Sequence, residues 1–142
     1  MDLELIFTIT ASMSLVGWAA LLIYPLAPYL IDKVSGILLP ILLGLAYASM
    51  VPIFFSGLEG GYDSLASVML LFKTPEAVMA GWIHYLAFDL FIGAWQAREA
   101  RLIGMSHIVI LPALVLTLIL GPIGLIVFFT TRLTMQNGRH RD

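Results

Sequence analysis

Long apolar segments dominate this sequence and restrict what it can fold into. Four stretches, at about residues 3–23, 37–55, 76–96 and 107–130, are apolar over about 20 residues, the helix length that crosses about 30 Å of hydrocarbon. Only 11% of the 142 residues are charged, against about 25% in a soluble domain. The sequence therefore predicts an all-α membrane protein, a single domain over 1–142 built as a bundle of four transmembrane helices.

Proline and glycine mark the boundaries of the predicted spans. Pro25 and Pro28 follow the first span, and a glycine-rich turn at 56–61 follows the second. The stretch 57–75 is apolar over too few residues to cross, so we expect an interfacial or re-entrant piece there. The tail, 131–142, is polar.

Four crossings would place both termini on one side of the membrane. The tail carries Arg132, Arg139 and Arg141, and cytoplasmic segments are enriched in positive charge, so we expect that side to be the cytoplasm. The acidic start, with Asp2 and Glu4, indicates a retained first helix and not a cleaved signal peptide.

Composition also excludes several kinds of site and partner. The chain has no cysteine, which excludes disulfides, thiolate nucleophiles, cysteine-ligated zinc and iron–sulfur clusters. Its net charge of −2 and its lack of a basic cluster argue against a nucleic-acid partner. The lipid bilayer is the expected partner.

Two ionisable residues, His84 and Asp89, lie inside the otherwise apolar third span. A charged side chain at the centre of a membrane helix costs about 2.5 to 3.5 kcal/mol on insertion scales, so such groups usually face a partner, a cavity or a substrate. Both residues are therefore candidate catalytic groups.

Helical periodicity separates these two candidates around the third span. At about 100° per residue, His84 lies about 140° from Asp89 and beside two phenylalanines, too far round to chelate one ion as an i, i+4 pair would. A groove between this helix and two neighbours could still receive both. The stripe that contains Asp89 consists of Trp82, Tyr85, Asp89, Gly93 and Gln96.

His107 opens the fourth span shortly after the third one ends. Because consecutive helices are neighbours, we expect His107 to hydrogen-bond Asp89, and a carboxylate would fix the imidazole tautomer and raise its basicity. The predicted catalytic set is His84, Asp89 and His107. The alternatives are that Asp89 and His107 only fix helix register, and that His84 bonds Tyr85 or a backbone carbonyl.

Aromatic and small residues near this set are candidates for substrate contact. Aromatic side chains in membrane helices often only pack, and a glycine–proline run often marks a close helix contact, so both alternatives stay open. The predicted substrate-binding residues are Trp82, Tyr85, Phe88, Phe91, Trp95, Gly121 and Pro122.

The same residues carry a resemblance to a known family. The pattern consists of Gly81-Trp82, HYLAFDLF over 84–91, Gly93, Trp95, Gly104, His107, Pro112 and Gly121-Pro122-Ile123-Gly124-Leu125. It resembles the abscisic-acid-deficient-4-like membrane family, whose plant members are needed to make neoxanthin from violaxanthin. The match is clearest over 81–128. Ala113 departs from the pattern, where a cysteine is expected.

The resemblance implies a four-helix membrane protein that modifies a carotenoid or related isoprenoid. In that chemistry an epoxide opens and an allene forms, so one proton goes to the epoxide oxygen and another leaves the adjacent polyene carbon, with no redox cofactor. The resemblance implies that Asp89 is the acid and that His84 or His107 is the base. Because a plant transit peptide is lacking, we expect a bacterial member in the inner membrane.

Two other functions fit the same residues. One is an iron-dependent oxygenase of an apolar polyene, with His84, Asp89 and His107 as the ligands, although the 140° offset counts against it. The other is a pigment or lipid carrier, or an assembly partner, without catalysis. We predict no cofactor for the isomerase, iron for the oxygenase, and leave the oligomeric state open.

Overall fold

The chain folds into helices, as predicted. In a computed structural model that describes residues 2–55 and 59–139, no strand occurs within those ranges. A 3-10 turn, Tyr24–Leu26, precedes the second helix, and a π-helical turn, Val34–Leu38, joins it to the third. The helices are α1 (Leu3–Leu22), α2 (Pro28–Lys33), α3 (Leu39–Phe55), α4 (Leu65–Leu71), α5 (Pro75–Leu102), α6 (His107–Leu120) and α7 (Pro122–Arg139).

Among the described residues, three helical segments are long and apolar enough to cross a membrane, and the protein is an integral membrane protein. They are α1, the continuous helix Pro28–Pro52 and α5, with 20, 25 and 28 residues. The second one begins earlier than the predicted residue 37. Pro28 starts it, because proline fits the first position of a helix, where no N–H donor is needed.

The short helix α4 occupies part of the segment that was predicted to be interfacial or re-entrant. Ser64 caps it by accepting a hydrogen bond from the Ser67 N–H at 3.1 Å. Residues 56–58, in the predicted glycine-rich turn, lie outside the described residues.

Helix α5 is the centre of the bundle, and α1 runs parallel to it. The Phe7 ring stacks on Trp82 near the start of both helices, with ring centroids 5.6 Å apart. Further along, the Trp18 ring packs directly over Gly93. A glycine there lets the indole approach the α5 backbone closely, which is typical of helix contacts in membranes.

The α2–α3 segment runs antiparallel to α5 on another side of it. A Cβ atom at Gly36 would lie 3.3 Å from Cβ of Ala94, so the helices are close at this end. Eleven residues later, Tyr47 lies beside His84, with ring centroids 5.9 Å apart. These two contacts set the register of the α3–α5 face.

The fourth predicted span differs from the structure, because it is two helices that pack against each other as a hairpin. Gly121, with a φ of 29°, separates α6 from α7, and Pro122 begins α7. The 14 residues of α6 extend about 21 Å, short of the roughly 30 Å of hydrocarbon. Helix α7 then returns alongside α5, since Phe128 contacts Trp95 with ring centroids 5.3 Å apart.

The returning helix ends near the C-terminus of α5. Arg132 pairs with Glu99 at 2.9 Å, and Met135 lines the same pocket as Leu102. Asp2, the N-cap of α1, is at the opposite end of the bundle. The described termini therefore lie at opposite ends, and the predicted placement of both termini on one side does not hold, because hydropathy does not register the turn at Gly121.

Candidate functional site

The structure does not bring Asp89 and His107 together. His107 Nε2 lies 3.2 Å from the Leu22 carbonyl oxygen, and its ring stacks on Tyr24. Asp89 lies at the other end of α6, where a Cβ atom at Gly121 would be 3.0 Å from Oδ1 of Asp89. The length of α6 puts about 20 Å between the two groups. The expected hydrogen bond fails because Asp89 lies well before the end of α5.

Asp89 is buried at the turn of the hairpin. The residue is 8% exposed, and Oδ2 has no hydrogen-bond partner among the described residues. The neighbouring Tyr85 interacts with this carboxylate, but its hydroxyl proton is donated to the Leu118 carbonyl at 2.9 Å. That carbonyl has no helical donor, because residue i+4 is Pro122, which lacks an N–H. Tyr85 therefore stabilises the turn and leaves the carboxylate without a full partner.

The stripe predicted around Asp89 faces α1 and the hairpin. Trp82 stacks on Tyr85, with ring centroids 5.5 Å apart, as well as on α1. At the other end of the stripe, Gln96 is fully buried and accepts a hydrogen bond from the Thr117 hydroxyl at 3.1 Å. Most of this face of α5 therefore packs against α1 and the hairpin, while Trp82 at its start is 37% exposed.

The opposite face of α5 borders an apolar groove of about 460 Å³, which we call the α3–α5 groove. Phe88 and Phe91 form one wall and are 57% and 47% exposed. In a membrane such side chains face lipid, so the groove opens to the hydrocarbon. Its lining residues are Gly36, Ile37, Pro40, Ile41, Gly44, Ala87, Phe88 and Phe91.

His84 is not one of the lining residues, but it lies one helical turn before Phe88, which forms a wall of this groove. Its ring stacks on Phe88, with centroids 4.6 Å apart, and tilts against Tyr47 at 5.9 Å. The side chain is exposed and not buried. Of the three predicted catalytic residues, His84 is thus the one beside a surface that an apolar ligand could occupy.

Sequence reasoning missed the α3 side of the groove. Gly36, Pro40 and Gly44 recur every four residues and so share one helix face. Small residues at that spacing leave a shallow channel along a helix, and this was the signal available in the sequence. Tyr47, which contacts His84, continues the same side of the helix.

His107 belongs to a polar cluster at the end of the bundle where α1 and α5 finish. A pocket of about 360 Å³ there is lined in part by Tyr24, Arg101 and His107. The Tyr24 hydroxyl donates to Asp32 Oδ2 at 3.1 Å. Burial, followed by the charge of Asp32, raises the pKa of Tyr24 to about 12. The Arg101 guanidinium lies 4.7 Å from the Tyr29 ring centroid.

The remaining predicted ligand-contact residues fall into separate places. Trp95 packs edge-on against Phe128 of α7, away from the groove, and Gly121 and Pro122 form the hairpin turn. Within residues 2–55 and 59–139, no three His, Asp or Glu side chains lie close enough to hold a metal ion. The three ligands suggested for iron do not converge.

A family model covers most of this arrangement. It matches residues 5–128, which include α1 from its third residue, α2 to α6, the hairpin turn and the first part of α7. The chain belongs to the ABA DEFICIENT 4-like family. No curated protein and no solved structure matches it. Membership relates this ABA DEFICIENT 4-like protein to carotenoid biosynthesis, and both the α3–α5 groove and the Asp89 turn lie inside the matched region.

Proposed function

We propose that this protein isomerises a carotenoid or related isoprenoid, with the polyene held in the α3–α5 groove and His84 as the acid/base residue. The observation that carries the proposal is the stacking of His84 on Phe88, a wall residue of an apolar groove that opens to lipid. Family membership supports the substrate class.

The dimensions and lining of the groove suit an elongated apolar ligand. From Gly36 to Tyr47 the helix rises about 16 Å, roughly half the hydrocarbon thickness. The volume of about 460 Å³ lies within the usual range of ligand sites. One end of a polyene would fit between the phenylalanine wall and the glycine–proline face, with its terminal ring at His84. The rest of the chain would extend into the bilayer.

One imidazole is sufficient for an epoxide-to-allene isomerisation. The protonated ring of His84 donates its proton to the epoxide oxygen as the carbon–oxygen bond breaks. The neutral ring then takes a proton from the adjacent polyene carbon, the carbon–hydrogen electron pair forms the new double bond, and the imidazolium is restored. No proton or electron is gained or lost overall, and histidine is suited to both steps near neutral pH.

Asp89 has an indirect part in this proposal. It lies on the packed face of α5, against Gly121 at the hairpin turn, and not on the face that carries His84. We therefore propose Asp89 as a positioning residue and not as the proton donor to substrate. His107 lies too far from the groove to contact the same reacting atoms.

The test is pigment profiling in a host that makes violaxanthin, with bound pigment measured on the purified protein. His84→Gln should abolish product formation but retain bound pigment, because the groove is unchanged. Gly44→Leu should abolish both, because a Cβ at Gly44 meets nothing within 4 Å and the new side chain would fill the groove. Val16→Leu, on the lipid-facing surface of α1, is the matched control and should retain both.

Product formation by a folded His84→Gln variant would show that His84 is not the acid/base residue. Normal pigment binding and conversion by Gly44→Leu would show that the substrate does not occupy the α3–α5 groove. Protein level in the membrane must be measured for each variant, so that loss of product is not confused with loss of protein.

A carrier is the second candidate. It is favoured by the separation of Asp89 from His107, which leaves no acid and base pair of the kind expected from the sequence. In that case the wild-type protein would bind pigment without changing it. Gly44→Leu would still abolish binding, whereas His84→Gln would have no effect on the pigments of the host.

A further inference from the structure

Two buried oxygen atoms without partners lie at the depth of the hairpin turn. One is Oδ2 of Asp89, and the other is Oγ of Ser14, whose residue is 1% exposed. Serine and threonine in helices usually return their hydroxyl to the preceding turn, as Thr10 does to the Ile6 carbonyl at 2.8 Å. Ser14 does not, so its oxygen is available.

Helix register places Ser14 opposite Asp89. Trp18 packs over Gly93, Ser14 is one turn before Trp18, and Asp89 is one turn before Gly93. Because α1 and α5 run parallel, the residues one helical turn earlier on both helices lie at the same depth and on the facing sides. The hydroxyl and the carboxylate therefore border the same buried region.

Backbone oxygens from the broken helix border this region too. Helix α6 ends at Leu120, one residue before the glycine whose Cβ would lie 3.0 Å from the carboxylate. The last carbonyls of a helix carry the negative end of its dipole. The same glycine precedes α7, whose first N–H groups carry the positive end of that helix dipole, equivalent to about half an elementary charge. Deep in a membrane, an ionised Asp89 between these two helix ends still lacks a full positive charge to balance it.

The geometry points to a binding site for a small alkali cation of the sodium type, held by Asp89, Ser14 and carbonyl oxygens at the end of α6. The donors are all oxygen atoms, the hard ligands that such ions prefer. One carboxylate balances one positive charge, whereas a divalent ion would leave net charge in the hydrocarbon. Helices broken near the middle of a membrane are a known setting for such ions.

The inference does not depend on the proposed carotenoid chemistry, and it is tested without pigment. The purified full chain is unfolded by heat in detergent, with NaCl exchanged for choline chloride at constant ionic strength. Circular dichroism and tryptophan emission follow unfolding, and Trp18 reports locally because it packs one turn from the site. Sodium should raise the midpoint in a saturable way, since a ligand that binds only the folded state stabilises it.

Three variants make the experiment decisive. Asp89→Asn should remove the sodium effect, and Ser14→Ala should raise the half-saturating sodium concentration on the order of tenfold. Asp32→Asn is the control, because it removes a carboxylate at the far end of the bundle and should leave the sodium effect intact. If Asp89→Asn does not fold, the Ser14→Ala shift decides.

Several outcomes would overturn the inference. They are an absence of stabilisation by sodium, lithium or potassium relative to choline, and an unchanged sodium effect in Asp89→Asn or Ser14→Ala. Stabilisation at low pH with no cation effect would show that Asp89 is held as the neutral acid instead. A larger effect of calcium than of sodium would refute a monovalent site.

Discussion

Replacing Gly124 with alanine should force the two helices of the hairpin apart. A Cβ atom at Gly124 would clash with backbone atoms of Thr117 as well as with its hydroxyl. Backbone atoms cannot rotate away, so α7 must shift relative to α6. The Gly121-Pro122-Ile123-Gly124 run had two interpretations, a substrate contact and a close contact between helices. The contact of Gly124 with Thr117 agrees with the second.

Two opposing effects determine how much Gly124→Ala changes the free energy of unfolding. Alanine in place of glycine inside a helix gains about 1 kcal/mol, while overpacking of a close contact costs about 1 to 3 kcal/mol. Gly124→Ala should therefore lower the free energy of unfolding by up to about 2 kcal/mol. Gly44→Ala is the matched control: nothing lies within 4 Å of its Cβ position, so only the gain applies. The difference between the two variants isolates the clash.

Unfolding in mixed micelles with increasing SDS, followed by circular dichroism, measures both free energies. Emission from Trp95 gives a local reading, because its ring packs against Phe128 of α7 and should become less shielded when α7 moves. Equal stability of Gly124→Ala and Gly44→Ala would refute the close approach of α6 and α7.

Three further predictions concern the turn and the polar end. Tyr85→Phe leaves the Leu118 carbonyl without a donor and should cost about 0.6 kcal/mol, and up to about 1.7, of unfolding free energy, whereas Tyr62→Phe at an exposed ring should cost nothing measurable. Between pH 10 and about 12 the wild-type protein should lose stability as the pH rises, because the unfolded chain releases the Tyr24 proton first. Thermal unfolding measured across this pH range should show a flatter slope of stability against pH for Tyr24→Phe. An unchanged slope would contradict the raised pKa of Tyr24. His107→Ala should leave pigment conversion intact, and loss of product from a normally folded variant would show that the residue acts in the reaction.

Composition and helical periodicity were enough to predict the fold class, because the length and the faces of a single helix depend only on residues close together in the sequence. Apolar length predicted four spans, and three of them correspond to the long apolar helices α1, Pro28–Pro52 and α5. An angle of about 140° correctly placed His84 and Asp89 on different faces of α5. The family resemblance was likewise carried by contiguous residues, and the family match over 5–128 confirmed it.

Tertiary structure alone decided the hairpin and the partners of each polar group. A hydropathy profile averages the hydropathy of the residues in a window. It therefore gives the same value whether the chain continues through Gly121 or turns back there. That one backbone conformation, with φ at 29°, separates Asp89 from His107 by the length of α6 and brings the carboxylate to the turn. The groove beside His84 likewise depends on the register of α3 against α5, which no single segment of sequence specifies.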